Sequence, residues 1–339
     1  MATVEKVVIA ERVSRTSDVV PTLFVGLGGC GIRIIQRVQK HLRARSDFND
    51  RFKELTRFAA VDTNINDLEL ARADVNDIFL VSDFEKEAYA ALASGKSFLD
   101  EDAHFTQWVP KDYRFRAGDT AGAGQIRIES RLGCYYTTRH TDFLTKMRRL
   151  VEELKDHDNG YRRLEPREVR VVIAYSIAGG TGSGACLPIA YVLRDMVAEV
   201  GRPTIIGVAV LPSVFDQKVG ANKDGTHANG YAALKETEHL MRLGAPASAF
   251  FPADGIRFHY NGGAPSKTIV KHKPFDFLYL IDKPERFTVD SVPNAAADGL
   301  YVQLFSGLFK EQAGDYDNYT QHQRVLVPHD FADKQIQGF

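Results

Sequence analysis

The chain has 339 residues, enough for one large α/β domain or two modest ones with ample material for a buried core. Lys plus Arg (43) nearly balance Asp plus Glu (44), which excludes the bulk charge signature of a nucleic-acid or membrane-surface binder. Cys30, Cys134 and Cys186 lack zinc-ligand spacing, and no apolar run reaches the roughly 18 residues of a membrane span, so a soluble, cytoplasmic protein with reduced thiols is expected.

Residues 1–20 mix charged and apolar positions without a signal-peptide core and read as an N-terminal extension. Thr22 to Val25 is a short buried-strand pattern ending in glycines. A helix pattern over Ile32 to Arg45 follows, with Ile35, Val38 and Leu42 at helical spacing. Phe58 to Val61 and Ile78 to Val81 are the next strands, and Leu99 to Gly124 is loose. Ile126 to Lys155 reads as two amphipathic helices, Gly133 arguing against an unbroken one. Val171 to Ala174 is the fourth strand, followed by a helix over Leu187 to Val200 and a strand over Thr204 to Leu211. Asp216 to Asn229, rich in Gly, Asn, Asp and Lys, reads as loose, and Ala232 to Leu243 as helical. Pro252 to Lys273 suggests a hairpin turning at Asn261-Gly262-Gly263. A strand over Phe275 to Ile281 and a helix over Ala295 to Gln312 close the pattern. Continuous apolar strands separated by helices predict an α/β fold: a mainly parallel, Rossmann-like sheet with helices on both faces.

Two glycine loops carry the chemistry. Gly26-Leu27-Gly28-Gly29-Cys30-Gly31 joins the first strand to the first helix, where glycines let backbone approach a phosphate and the helix N-terminus supplies N–H groups. Alone it suits a dinucleotide, a mononucleotide or a plain tight turn. Gly95-Lys96-Ser97 lacks the glycine five residues earlier that a P-loop needs, position 90 being alanine, so a P-loop is excluded. Gly179-Gly180-Thr181-Gly182-Ser183-Gly184 follows the fourth strand and opens the next helix. Its glycines, with the hydroxyls of Thr181 and Ser183 between them, make a second anion cradle suited to α- and β-phosphates.

With its flanking strand and Pro188-Ile189-Ala190, this second loop resembles the signature loop of the tubulin/FtsZ superfamily, and Gly26 to Gly31 resembles that family's first phosphate loop. Asp62-Thr63-Asn64 is similar to the second loop, near phosphates and metal. Ala121-Gly122-Ala123-Gly124, followed by Arg127 and Arg131, is similar to the third, which faces the γ-phosphate. Pro212 to Asp216 resembles the fifth, which approaches the ribose. Asn229 resembles the family's guanine-reading asparagine, an amide being able to donate to a purine carbonyl and accept from a ring N–H. A helix cap is its plainer role. The helix from Ala295 resembles the family's long central helix, placing Asn294 or Asp298 near the base.

The resemblance implies one nucleotide-binding domain over 21–320 that takes GTP or GDP, with Mg²⁺ carried on the phosphates. It also implies head-to-tail assembly in which a neighbouring subunit completes hydrolysis. The residues here in that role would be Asn318, Asp315 and Asp317, although the positions expected to be acidic align with Thr320 and Gln323. The segment 321–339 is too short for the second domain that such relatives carry, so that domain is expected either to follow in a longer protein or to be missing. Two other readings stand beside the self-assembling GTPase: a non-polymerising nucleotide-sensing module, and an adenine-nucleotide or NAD Rossmann enzyme with Asp62 ending its second strand.

Overall fold

A computed structural model of the chain describes residues 20–46, 48, 53–81, 122, 124–154, 168–244, 254–283 and 288–305. Its strands are β1 (Thr22–Leu27), β2 (Thr56–Asp62), β3 (Asp77–Leu80), β4 (Glu168–Ser176), β5 (Arg202–Val210), β6 (Ile256–Arg257), β7 (Ile269–Val270) and β8 (Phe277–Ile281). Six form one sheet in the order β3-β2-β1-β4-β5-β8, every neighbouring pair parallel. β6 and β7 pair antiparallel, so the excursion around Asn261-Gly262-Gly263 is the hairpin its glycines predict.

The helices are α1 (Gly28–Arg43), α2 (Ile65–Ala71), α3 (Arg127–His140), α4 (Phe143–Glu153), α5 (Gly180–Ala198), α6 (Asp216–Val219), α7 (Lys223–Met241) and α8 (Ser291–Phe305). They cover both faces of the sheet, which is why its strands carry continuous apolar runs such as Phe58 to Val61 and Val171 to Ala174. Along β4, Val171, Ile173 and Tyr175 enter a core shared with α4, α5 and α7. Val172 and Ala174 enter a second core shared with α1 and α8.

Several boundaries differ from the sequence pattern. α1 and α5 begin at Gly28 and Gly180, so each glycine loop is itself the first helical turn. The segment Asp216 to Asn229, expected to be loose, is instead α6, a 3-10 turn (Gly220–Asn222) and the first turns of α7, and another 3-10 turn (Pro212–Phe215) precedes it. Packing overrides the low helix propensity there: a Cβ on Gly230 would stand 2.3 Å from the Pro212 ring, so glycine lets α7 lie against that turn. α3 and α4 break at Thr141, not at Gly133. The Thr141 hydroxyl donates to the Thr137 carbonyl at 2.7 Å and accepts from the Phe143 N–H at 3.2 Å, ending one helix and starting the next. α2 had no periodic signal; the Asn64 side chain caps it by accepting from the Asn66 N–H at 3.0 Å. Among the described residues, no helix is long and apolar enough to cross a membrane.

Candidate functional site

Strand order places a topological switch point between β1 and β4: β1 connects to β2 on one side, and the chain later returns as β4 on the other. In parallel sheets the loops leaving the carboxyl ends of strands diverge at such a point and open a crevice. A cleft of about 420 Å³ lies there, lined by residues of both glycine loops, the end of β2, the segment before α3 and the turn before α7.

Its floor is two helix N-termini. Leu27 and Gly179 precede α1 and α5, neither supplies a side-chain cap, and neither first turn holds an acidic residue. The leading N–H groups therefore lack intrahelical partners, and both helix dipoles present positive ends to the cleft. The glycines divide by role. A Cβ on Gly31 would stand 2.0 Å from the Ala174 carbonyl oxygen, one on Gly182 2.3 Å from that of Ser176, and one on Gly184 2.3 Å from that of Arg127. A Cβ on Gly26 would meet the Ile32 backbone at 2.7 Å. These four are glycine so that backbones can touch. Gly179 alone in the second loop has open space where its Cβ would be, with Gly28, Gly29 and Gly180 also on the cleft wall.

A buried hydroxyl–carboxylate hub joins the loops. The Thr181 hydroxyl donates to Asp62 Oδ1 at 2.8 Å and lies 2.8 Å from the Thr63 hydroxyl, while the Thr63 N–H donates to the same Oδ1 at 2.7 Å. Thr181 thus gives its proton to Asp62, not to the cleft. Asp62 Oδ2 is buried without a hydrogen-bond partner. Burial pushes the Asp62 carboxyl above its ordinary pKa, against the pull of the Thr181 and Thr63 donors, with the nearby Asp67 charge pushing the same way. Asp67 also lines the cleft, unsignalled in the sequence because α2 itself was not legible.

Of the residues expected to bind nucleotide, Gly28, Gly29, Cys30, Asp62, Thr63, Gly122, Gly124, Gly179, Gly180, Thr181 and Gly182 meet in this cleft. Others do not line it. Ser183 turns its hydroxyl back to the carbonyls of Gly179 and Gly180 within its own helix. Arg131 lies half-buried over the Phe258 ring, 4.7 Å from its centroid, where desolvation lowers its pKa. Arg127 binds the Ser183 carbonyl and Glu236. Pro212 packs beneath Gly230, and Asp216 pairs with His227 and Lys223, which hold its carboxyl below the usual range. Asn229 sits inside α7, so it is no helix cap; its Nδ2 donates to Gln125 O at 2.8 Å and Ala178 O at 3.1 Å, tying two loops together. Asn294 lines a different groove, and Asp298 binds His41 at the far end of α1. Cys30 is half-buried on the wall, its thiol pushed up to about 12 by burial. Ala123, Asp315, Asp317 and Asn318 lie outside the described residues.

The cleft also contains residues the sequence did not single out for it, Gln125, Val219 and Thr226, beside Phe215 of the Pro212 to Asp216 segment that it did. Gln125 holds φ at 69°, a conformation costly for a side-chain-bearing residue, and its carbonyl and side chain are gripped by Asn229 and Asn222.

A family model described as tubulin-like matches residues 23–333. Among solved structures, CetZ2 from Haloferax volcanii in a GTPγS-bound protofilament is 13% identical with a TM-score of 0.45, covering 84% of this chain and 58% of that one. The TubZ of Bacillus thuringiensis serovar israelensis, in a GTPγS-form protofilament, is 12% identical with a TM-score of 0.42, covering 88% and 60%. CetZ from Methanosaeta thermophila is 17% identical with a TM-score of 0.44, covering 87% and 54%. The chain therefore spans 54–60% of the length of these solved structures. No curated protein matches it in sequence.

Proposed function

The chain belongs to the tubulin-like family, and on that premise we propose that its cleft binds a guanine nucleotide, GTP or GDP, with the phosphates over the N-termini of α1 and α5. The observation carrying this reading is the convergence of two uncapped helix N-termini on one cleft at the switch point of the sheet. Phe215 and Val219, which also line the cleft, offer apolar surface to a purine ring.

Asp62 and Asp67 face this anion cradle, which a naked triphosphate would meet with repulsion. A divalent cation fits that disagreement, and the unpartnered Asp62 Oδ2 is the atom available to it. Among the described residues no group of three acids, histidines or cysteines could cage a metal. Asp62 and Asp67 would thus hold Mg²⁺ together with phosphate oxygens and water, the usual arrangement for this ion. Bound there, the ion neutralises phosphate charge; the chain's own part is to exclude water, hold the phosphates on backbone N–H groups and fix Asp62 through Thr63 and Thr181.

Hydrolysis and self-assembly belong to the same proposal: a second copy, stacked head to tail, would bring Asp315, Asp317 and Asn318 to the nucleotide of its neighbour. Two measurements test it. Mass spectrometry of nucleotide released from purified protein is expected to give GDP or GTP; ADP or NAD overturns the guanine reading. Turnover per subunit in GTP and Mg²⁺ is expected to rise steeply with protein concentration, alongside sedimentable polymer. Constant turnover without polymer would select the non-polymerising nucleotide-sensing module.

A further inference from the structure

α1 carries a polar feature that the nucleotide cleft does not use. Arg33, Arg37, Lys40 and Arg43 fall within about 120° of the helix circumference, given 3.6 residues per turn. All four line a separate groove of about 350 Å³ between α1 and the start of α8. Among the described residues two carboxylates line it with them, Asp74 and Asp290, and both are engaged. Asp74 accepts from Gln36 Nε2 at 2.9 Å, and Asp290 takes Lys218 as well as Arg33, the latter at 3.9 Å.

The cations are correspondingly undersupplied. Lys40 and Arg43 make no ion pair among the described residues. Arg37 Nε is buried without a hydrogen-bond partner; the Asp298 carboxylate stands 3.8 Å from it, too far to accept. The dipole of α1 explains cations in its last turn, where Lys40 and Arg43 lie. It gives no reason for Arg33, in the N-terminal half of the helix, or for Arg37, which lies before the last turn.

We propose that this groove is a second anion site, taking a short polyphosphate chain along α1. Guanidinium groups present paired N–H donors that match phosphate oxygens, and three of the four cations are arginines. Arg33 to Arg43 covers about 15 Å of helix at 1.5 Å per residue, room for several linked phosphates and far more than a single one needs. An anion seated there meets Lys40 and Arg43, the two groove cations with no carboxylate partner among the described residues. The polyphosphate is either free or the tail of a second nucleotide.

The test titrates inorganic triphosphate into the full chain by calorimetry at low salt, where exposed charges are least screened. Gly179→Val, which fills the nucleotide cleft, is the background, so loss of the nucleotide reading leaves this measurement intact. One saturable site is expected in that background. It should weaken more than tenfold on Arg37→Ala and on the double change Lys40→Glu/Arg43→Glu, with GTP binding retained when the same changes are made in the parent. Circular dichroism melting checks that the groove variants fold. Competition by GTP in the Gly179→Val chain assigns the site to a nucleotide tail, and indifference to GTP assigns it to free polyphosphate. No saturable binding, or equal affinity in the groove variants and their background, overturns the proposal.

Discussion

Gly179 and Gly182 sit three residues apart in one loop and do different work. Gly182 has a strand carbonyl where its Cβ would go, whereas Gly179 faces open cleft in an extended conformation that any residue adopts. Gly182→Ala is therefore expected to destabilise the fold by about 1–3 kcal/mol or more, as overpacking does. Gly179→Val should stay within about 1 kcal/mol of the parent, the scale of a helix-cap change, yet weaken nucleotide binding at least tenfold. Urea midpoints and GDP titrations separate the two; a Gly179→Val chain with full affinity would remove the phosphates from this loop. Asp62 yields a prediction with a sign. Its pKa is raised, so the native state binds the proton more tightly than the unfolded chain, and stability falls as pH rises from the unfolded value near 4 (about 3.9 for Asp) through the raised one. Asp62→Asn removes that penalty. The nucleotide-free variant should melt at or above the parent at neutral pH, the difference vanishing below about pH 4. In exchange it should lose the Mg²⁺ enhancement of GTP affinity. Melting curves across pH, with and without Mg²⁺-GTP, check both halves.

At the scale of elements, legibility followed burial. The parallel strands were readable because side chains on both faces enter cores, leaving continuous apolar runs such as Val171 to Ala174. Helix starts were not, because α1 and α5 open on glycine turns with no apolar periodicity, and their first turns serve the cleft. α7 was shortened for the opposite reason. Its early residues are polar and mostly exposed, and it is held by a few contacts: the buried Thr226, Asn229 on two loop carbonyls, and Gly230 on Pro212. The cleft was legible where it is backbone and largely illegible where it is side chain, since Gln125, Val219 and Thr226 carry no motif of their own. Gly230→Ala tests the element directly. It should cost about 1–3 kcal/mol and push the Pro212 turn off α7. Phe215 moves with that turn, so nucleotide affinity should fall while inorganic triphosphate binding at the α1 groove is unaffected. A variant that melts lower but binds GTP as the parent does would detach the turn from base recognition.

Over the whole molecule, both helix layers converge on the central strand, and they do so without intervening side chains. Gly31 of α1 bears on the Ala174 carbonyl from one face of β4, and Gly182 of α5 bears on the Ser176 carbonyl from the other. β4 also pairs along its length with β1 and β5. A strand clasped backbone to backbone on two faces and hydrogen-bonded on two edges has no partial route to opening. Its amide hydrogens should exchange with solvent deuterium only when the entire domain unfolds, so residues 171–176 mark the slowest limit of exchange. The polar turn before α7 should exchange orders of magnitude faster. Hydrogen–deuterium exchange mass spectrometry reads both. With nucleotide bound the two rates should part further or move together, and which occurs tells whether the occupied cleft is a clamp on one loop or a keystone for the sheet.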